Sequence, residues 1–442
     1  MSASRHIAVI GAGWAGCAAA VELADTGHRV TLIESARALG GRARAVEIDG
    51  RVLDNGQHIL LGAYKESLRL MRKTGVDVAQ ALLRLPLQMR YPSACEGMDF
   101  VAPRLPAPWY VALGLWRAKG LAKEDKLALL RFISAARWME WRLDVDCSVE
   151  TLLHQHQQTE RLIRLMWAPL CIAALNTPPQ RASARIFLNV LRDSLGARRA
   201  ASDMLIPRAD LSALFPQAAA SFIAQRGGEV LNGVAIRRIT SADEKWRLLS
   251  NRDEALPDFD GVVVAVPAAQ VNELLSKVTN EALVPAFDYE PITTCYLQYG
   301  NDVKLAAPFF ALLDDPATSA WGQFVFDRGQ LGGSAGLLAV VISASAQAIE
   351  LDKETLISAL ATQLATAFAM PQLNKPLWTQ IITEKRATFS CAPDLQRPTE
   401  ATPWKSLMLA GDYLASDYPA TLESAVRSGV KAAALLAEQL EG

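Results

Sequence analysis

A chain of 442 residues is longer than one compact core usually organises, so two lobes are expected. Apolar residues make up 51% and charged residues 21%, and 45 Lys plus Arg against 46 Asp plus Glu leave no basic excess to hold nucleic acid. The six cysteines form no CxxC pair and no His stands near them at metal spacing; this argues against a disulfide framework or a zinc site and points to a reducing cytosol.

Residues 6–10 (HIAVI) are a short apolar run of the kind that forms a buried parallel strand, rather than the start of a signal peptide. The run breaks at Gly11-Ala12-Gly13-Trp14-Ala15-Gly16. An Ala-rich helix follows to Thr26, closed by Gly27, and a second strand over 29–33 ends at Glu34 and Ser35. This order of strand, glycine turn, helix, strand and acid makes the GxGxxG pattern a dinucleotide cradle. Gly11 permits the tight turn, Gly13 lets backbone approach a diphosphate, and Gly16 lets helix and strand pack closely. The free N–H groups of Trp14, Ala15 and Gly16 and the positive helix end face the phosphates. The Glu34 carboxylate is placed for ribose hydroxyls and would repel a 2′-phosphate, which disfavours NADP.

A second glycine turn, just beyond this strand, separates FAD from NAD. Gly40-Gly41-Arg42-Ala43 places backbone amides and a guanidinium near the same diphosphate, where charge-assisted bonds are strong. Residues 48–58 (IDGRVLDNGQH) read as a hairpin with turns at Asp49-Gly50 and Asn55-Gly56, bringing Gly56, Gln57 and His58 to the flavin. Residues 96–190 are mainly helical and hold five tryptophans. Within them the basic, aromatic stretch 105–120 and the helix after it suit either a membrane interface admitting a lipid or an ordinary packed cap. No uninterrupted apolar stretch reaches ~18 residues, so a membrane-crossing helix is not expected.

Further strands are expected over 234–239, 261–266, 293–299 and 337–343, with a helix over 353–370. A last strand over 407–410 ends in Gly411-Asp412. A capped helix then starts around Thr421, Leu422 and Glu423, and its N-terminus would face the flavin C2 carbonyl, where negative charge gathers on reduction. Asp412 would bond the ribityl or diphosphate region.

GAGWAGCAAA, Glu34, GGRARA and GDYLASDYPATLESAVRSG together resemble the flavin-containing amine oxidase and carotenoid desaturase superfamily. More narrowly, LDNGQHILLGAY (53–64), WAPLCIAALNTPPQRAS (167–183) and LIPRADLSALFP (205–216) resemble the squalene-associated FAD-dependent desaturases, whose members act as hydroxysqualene dehydroxylases in hopanoid synthesis. The resemblance implies an α/β fold. A discontinuous Rossmann-like FAD domain (1–95, 190–270, 381–442) would carry a mixed α+β substrate domain (96–189, 271–380) with a helical cap. It also implies that Val234 offers backbone to the adenine. It implies FAD, an isoprenoid lipid substrate and a separate flavin reductant. No Cys or His stands at an obvious attachment position, so the FAD is expected to be non-covalent. The expected place is the cytoplasm, with peripheral contact to the cytoplasmic face of the inner membrane as one of the two readings of the stretch 105–120. The alternatives it leaves are a carotenoid or phytoene-type desaturase, a flavin amine oxidase, and a binder that has retired its chemistry. Loss of an allylic hydroxyl needs a proton donor, and His58, Tyr413, Asp417 and Tyr418 are the candidates by location, each with an ordinary structural alternative as packing or capping group.

Overall fold

The computed structural model describes residues 4–106 and 109–441. Residues 107 and 108 of the basic, aromatic stretch lie outside the described residues, as do 1–3 and 442.

Two sheets organise the chain. The first has five parallel strands in the order Glu229–Asn232, Arg29–Glu34, His6–Ile10, Gly261–Val264, Leu407–Leu409. Its two central strands are apolar over residues 7–10 and 261–264, as a parallel sheet covered on both faces requires. One face is covered by the helix Trp14–Asp25, which packs on the long helix Leu422–Glu441. The two helices meet closely because Gly429 has no side chain: a Cβ there would lie 2.1 Å from the Ala15 carbonyl oxygen. The strand pair Ala45–Ile48 and Arg51–Asp54 forms the expected hairpin, and Asp49 (φ 51°) and Gly50 (φ 71°) give the left-handed pair that a tight two-residue turn demands. The strand expected over 234–239 starts later, at Ile236, because Val234 is held by the Glu34 carbonyl instead of a ladder.

The second sheet is antiparallel, in the order Phe309–Ala311, Phe324–Asp327, Leu337–Ser343, Tyr289–Gln298, Trp378–Phe389. Its last strand runs to Phe389, so the boundary expected at residue 381 falls inside a hydrogen-bonded strand. One face, with Cys295, Leu297, Val325 and Val340, packs under the helix Lys353–Phe368. The other, with Tyr296, Phe309, Phe324 and Phe326, belongs to an apolar cluster that continues into the helical region 109–195.

The segment 167–183 joins that helical region to the sheet. Asn176, left-handed at the end of its helix, donates through Nδ2 to the Glu290 carbonyl and Thr388 Oγ1 and accepts from the Ala344 N–H. A buried polar side chain with this many partners fixes one docking geometry.

Candidate flavin site

The N-terminal cradle is built from two glycine turns side by side. Gly13 bridges to Gly40 in parallel register, and a Cβ on Gly41 would lie 3.2 Å from the Gly13 Cα. A Cβ on Gly13 itself would enter open space at the helix N-terminus, the path a diphosphate would take. Gly13 is the N-cap of its helix, with no side-chain cap and no acid in the first turn, so the orphan N–H groups are left for a ligand. These residues fit FAD. The side chains of Trp14 and Ala43 do not take part: the indole is buried on Phe215 and donates to the Ala43 carbonyl, so each offers backbone alone.

Glu34 is buried at the strand end. Its Oε2 accepts from the Ala12 N–H at 2.8 Å, and its Oε1 from the Ala36 N–H and Ser35 Oγ. These bonds orient the carboxylate; Oε1 is satisfied by its two donors, and Oε2 keeps a lone pair for a ribose hydroxyl. Val234 lies beside it with its N–H spent on the Glu34 carbonyl, so its own carbonyl is what it can offer an adenine.

The two distant motifs meet at Arg42. One guanidinium nitrogen lies 2.6 Å from Asp412 Oδ1, and the other donates to the Ala387 carbonyl at 2.6 Å on the last strand of the antiparallel sheet. Burial works against the Arg42 charge, but the Asp412 carboxylate outweighs it and holds the guanidinium above its ordinary value. Asn55 fixes the loop from the other side, accepting from the Arg44 N–H and donating to the Arg42 carbonyl. Gly411 leaves room for the Tyr413 ring: a Cβ at Gly411 would lie 2.3 Å from that ring.

The C-terminal helix begins at Leu422, capped by Thr421 Oγ1, which accepts from the Ser424 N–H at 3.1 Å. Glu423 does something the sequence did not suggest. Its buried carboxylate accepts from the Glu66 and Ser67 N–H groups and Ser67 Oγ, capping the helix Lys65–Lys73, and takes the Arg427 guanidinium at 2.8 Å. With the carboxylate engaged, what Glu423 can offer a cofactor is its backbone N–H, beside that of Leu422.

The four candidate proton donors are set apart by their surroundings. Burial, then the nearby Arg42 charge, pushes the His58 imidazole down to about 4, so it is neutral near neutral pH. The Asp417 side chain is exposed, while its backbone carbonyl is held by Asn189 Nδ2. Tyr418 donates to Asp193 Oδ2 and lies under the Arg427 guanidinium at 4.7 Å. Tyr413 is 3% exposed and its hydroxyl has no partner among the described residues; burial pushes that phenol up, and Asp412 adds to the shift.

A network with no local signature in the sequence links the hairpin to the antiparallel sheet. The Tyr296 hydroxyl donates to the Asp54 carbonyl at 2.6 Å and accepts from Gln57 Nε2, while Arg328 donates to Gln57 Oε1 and lies 3.7 Å from Asp54 Oδ2. Burial pushes the Asp54 carboxyl up to about 6, against the Leu211 N–H bond and the Arg328 charge. LDNGQH gives no local sign of it, because the partners of its acid and amide lie more than 150 positions away. A cleft of about 1060 Å³ lined by Asp314, Glu354 and Gln363 sits on the opposite, helix-covered side of the sheet from Tyr296.

A two-turn glycine cradle, a buried strand-end acid and a paired Arg42–Asp412 define a flavin-dependent oxidoreductase. Residues 14–437 match the flavin containing amine oxidoreductase family, and the chain belongs to it and binds FAD. Among curated proteins it is similar to the hydroxysqualene dehydroxylases of Rhodopseudomonas palustris (30% identical, covering 98% of each chain) and Zymomonas mobilis (28%, covering 97% of this chain and 98% of that one). Among solved structures, an oxidoreductase from Methanosarcina mazei shares the fold with a TM-score of 0.74 at 17% identity, covering 96% of this chain and 99% of that one.

Proposed function

We propose that this protein removes the allylic hydroxyl of hydroxysqualene, giving squalene for hopanoid synthesis. The observation that carries this reading is near full-length similarity to dehydroxylases of that name, on a chain whose cradle residues are complete. The surroundings suit the substrate: Tyr413 and Leu53 share one apolar cluster with Tyr296, Phe309, Phe326 and the helical region, which favours a hydrocarbon chain over a polar amine.

Bound FAD, in its reduced form, supplies the hydride that replaces the hydroxyl. One substrate molecule then takes up a hydride and a proton and loses water, and the electrons come from an external reductant. The chain's own residues bind, orient and exclude water. Arg42 and Asp412 clamp the cofactor motifs together, and the aromatic faces of the cluster suit a positive allylic carbon in a dry site. Tyr413 is the group we place as the hydroxyl's hydrogen-bond partner, because its buried O–H lacks one among the described residues, whereas Asp417 faces solvent and His58 is neutral. Contact with the inner membrane belongs to the same reading, since the substrate partitions into lipid.

The test is anaerobic: reduced, FAD-loaded protein is mixed with hydroxysqualene. Squalene formation with stoichiometric flavin reoxidation is expected. Absence of turnover there, together with dehydrogenation of phytoene or squalene by the oxidised protein, would replace this reading with a desaturase. Tyr413→Phe should lower the turnover number at least about tenfold with FAD fully retained.

A further inference from the structure

Of ten large apolar side chains exposed among the described residues, seven fall between Val101 and Val145. Five of the seven lie on two helices, Trp109–Arg117 and Lys123–Trp138. These form an antiparallel hairpin. The start of the first and the end of the second both lie against Leu195–Gly196, through Tyr110 Oη bonded to the Leu195 carbonyl and Trp141 packed at Gly196, while Lys126 Nζ bonds the Trp116 carbonyl at the turn.

The inward face of the hairpin is ordinary core. Tyr110, Leu115, Leu129 and Phe132 are buried in the same apolar cluster as Tyr413. The outward face breaks the rule that a surface helix turns polar residues to water. Trp109 is 65% exposed, Trp116 78%, Leu127 59% and Trp138 88%. Leu127, Leu130 and Trp138 follow helical spacing along one stripe, so the exposure belongs to a face and not to scattered positions.

Charge says what covers it. The whole chain carries a net charge of −1, yet residues 101–145 hold eight Lys or Arg against four Asp or Glu. One of those acids, Asp125, is buried and bonded to the Ala122 N–H and Thr159 Oγ1. At the open end of the hairpin, Arg104, Arg198 and Arg199 line a cleft of about 490 Å³ whose lip is Leu105 and Pro106. Tryptophan flanked by Lys and Arg, with a guanidinium-lined cleft beside it, is the composition that sits at the boundary between acyl chains and anionic headgroups. A soluble protein partner would meet an apolar stripe without needing the surrounding cations.

We propose that this hairpin face docks on an anionic lipid bilayer. Trp109, Trp116, Leu127, Leu130 and Trp138 enter the headgroup boundary, and Arg104 and Arg198 hold lipid phosphates. The inference rests on the lipid-substrate reading above and gives it a route, since the buried side of the docked hairpin is continuous with the apolar cluster at Tyr413.

The experiment uses oxidised, FAD-loaded protein and phosphatidylcholine vesicles with or without phosphatidylglycerol, free of any isoprenoid, so that binding is read apart from turnover. The protein is expected to float with the anionic vesicles and at least about tenfold less with the neutral ones or in ~1 M salt, where the Debye length falls to ~3 Å. Brominated acyl chains should quench its tryptophan fluorescence. The triple variant Trp109→Ala/Trp116→Ala/Trp138→Ala should lose at least about tenfold in partitioning and most of that quenching. Arg104→Gln/Arg198→Gln should lose the preference for phosphatidylglycerol. Both variants should keep the flavin absorbance, which shows that they fold. Wild-type protein that stays unbound, a triple variant that floats as well as wild type, or a wild-type dimer that the triple variant converts to a monomer with no flotation in either would each overturn the proposal. Flotation without turnover of hydroxysqualene would sink the substrate reading and leave the docking face standing.

Discussion

Two helices that pack on each other carry flavin-motif residues at their N-termini, and those ends are finished differently. At the helix Trp14–Asp25 the cap position is Gly13, no side chain covers the free N–H groups, and the first turn holds no acid. At the helix Leu422–Glu441 Thr421 caps one N–H, and the acid of the first turn, Glu423, turns its carboxylate away to another helix. The bare end suits a full, permanent negative charge such as a diphosphate, whereas the partly satisfied end suits a weaker charge that appears only during reaction. The contrast teaches that an open N-terminus is kept by removing every competing side chain, and a milder one by leaving a cap in place.

The contrast can be broken by substitution. Gly13→Val should fold, because its Cβ enters open space, yet yield protein without FAD, read by absorbance after gel filtration. A yellow, flavin-replete variant would show that the bare end is not the diphosphate site. Asp412→Ala leaves Arg42 without its carboxylate and should weaken FAD binding about 10- to 100-fold by titration of apoprotein, the worth of one charge-assisted hydrogen bond. Thr421→Ala removes only a cap, at about 1 kcal/mol of stability, and should leave FAD retention close to wild type. If Thr421→Ala and Gly13→Val lost flavin equally, the two ends would be equivalent and the contrast void.

The smallest effect concerns acid. His58 is depressed to about 4 in the folded protein against an ordinary 6.5, so the stability its neutral form provides is complete above 6.5 and is lost as pH falls from there through about 4. His58→Gln should flatten the fall in melting temperature across that window, with little change at pH 8. A parallel fall in both proteins would place the acid-sensitive group elsewhere.

How much was legible in the sequence depends on the range of the interaction that makes each feature. The strand 6–10, the glycine turn, the hairpin at Asp49-Gly50 and the C-terminal helix each depend on residues within a few positions, and their patterns stand in the chain. The meeting of Arg42 with Asp412 could be inferred only through the resemblance, since 370 positions separate them. The partners of Gln57 and Glu423 left no local trace, because Tyr296, Arg328 and Ser67 reach them through tertiary packing alone. Tryptophan was the hardest to place. Trp138 and Trp141 are three residues apart, yet the helix ends between them and Trp141 turns left-handed (φ 61°) into the core while Trp138 faces out.

The clamp between Arg42 and Asp412 also sets an order of events during biosynthesis. A nascent polypeptide that has emerged only as far as the antiparallel sheet owns the glycine turns but lacks Leu407–Leu409, Asp412 and the C-terminal helix, so it grips the nucleotide with half a hand. A grip that needs both motifs is complete only once Asp412 has been made, when more than nine-tenths of the polypeptide already exists.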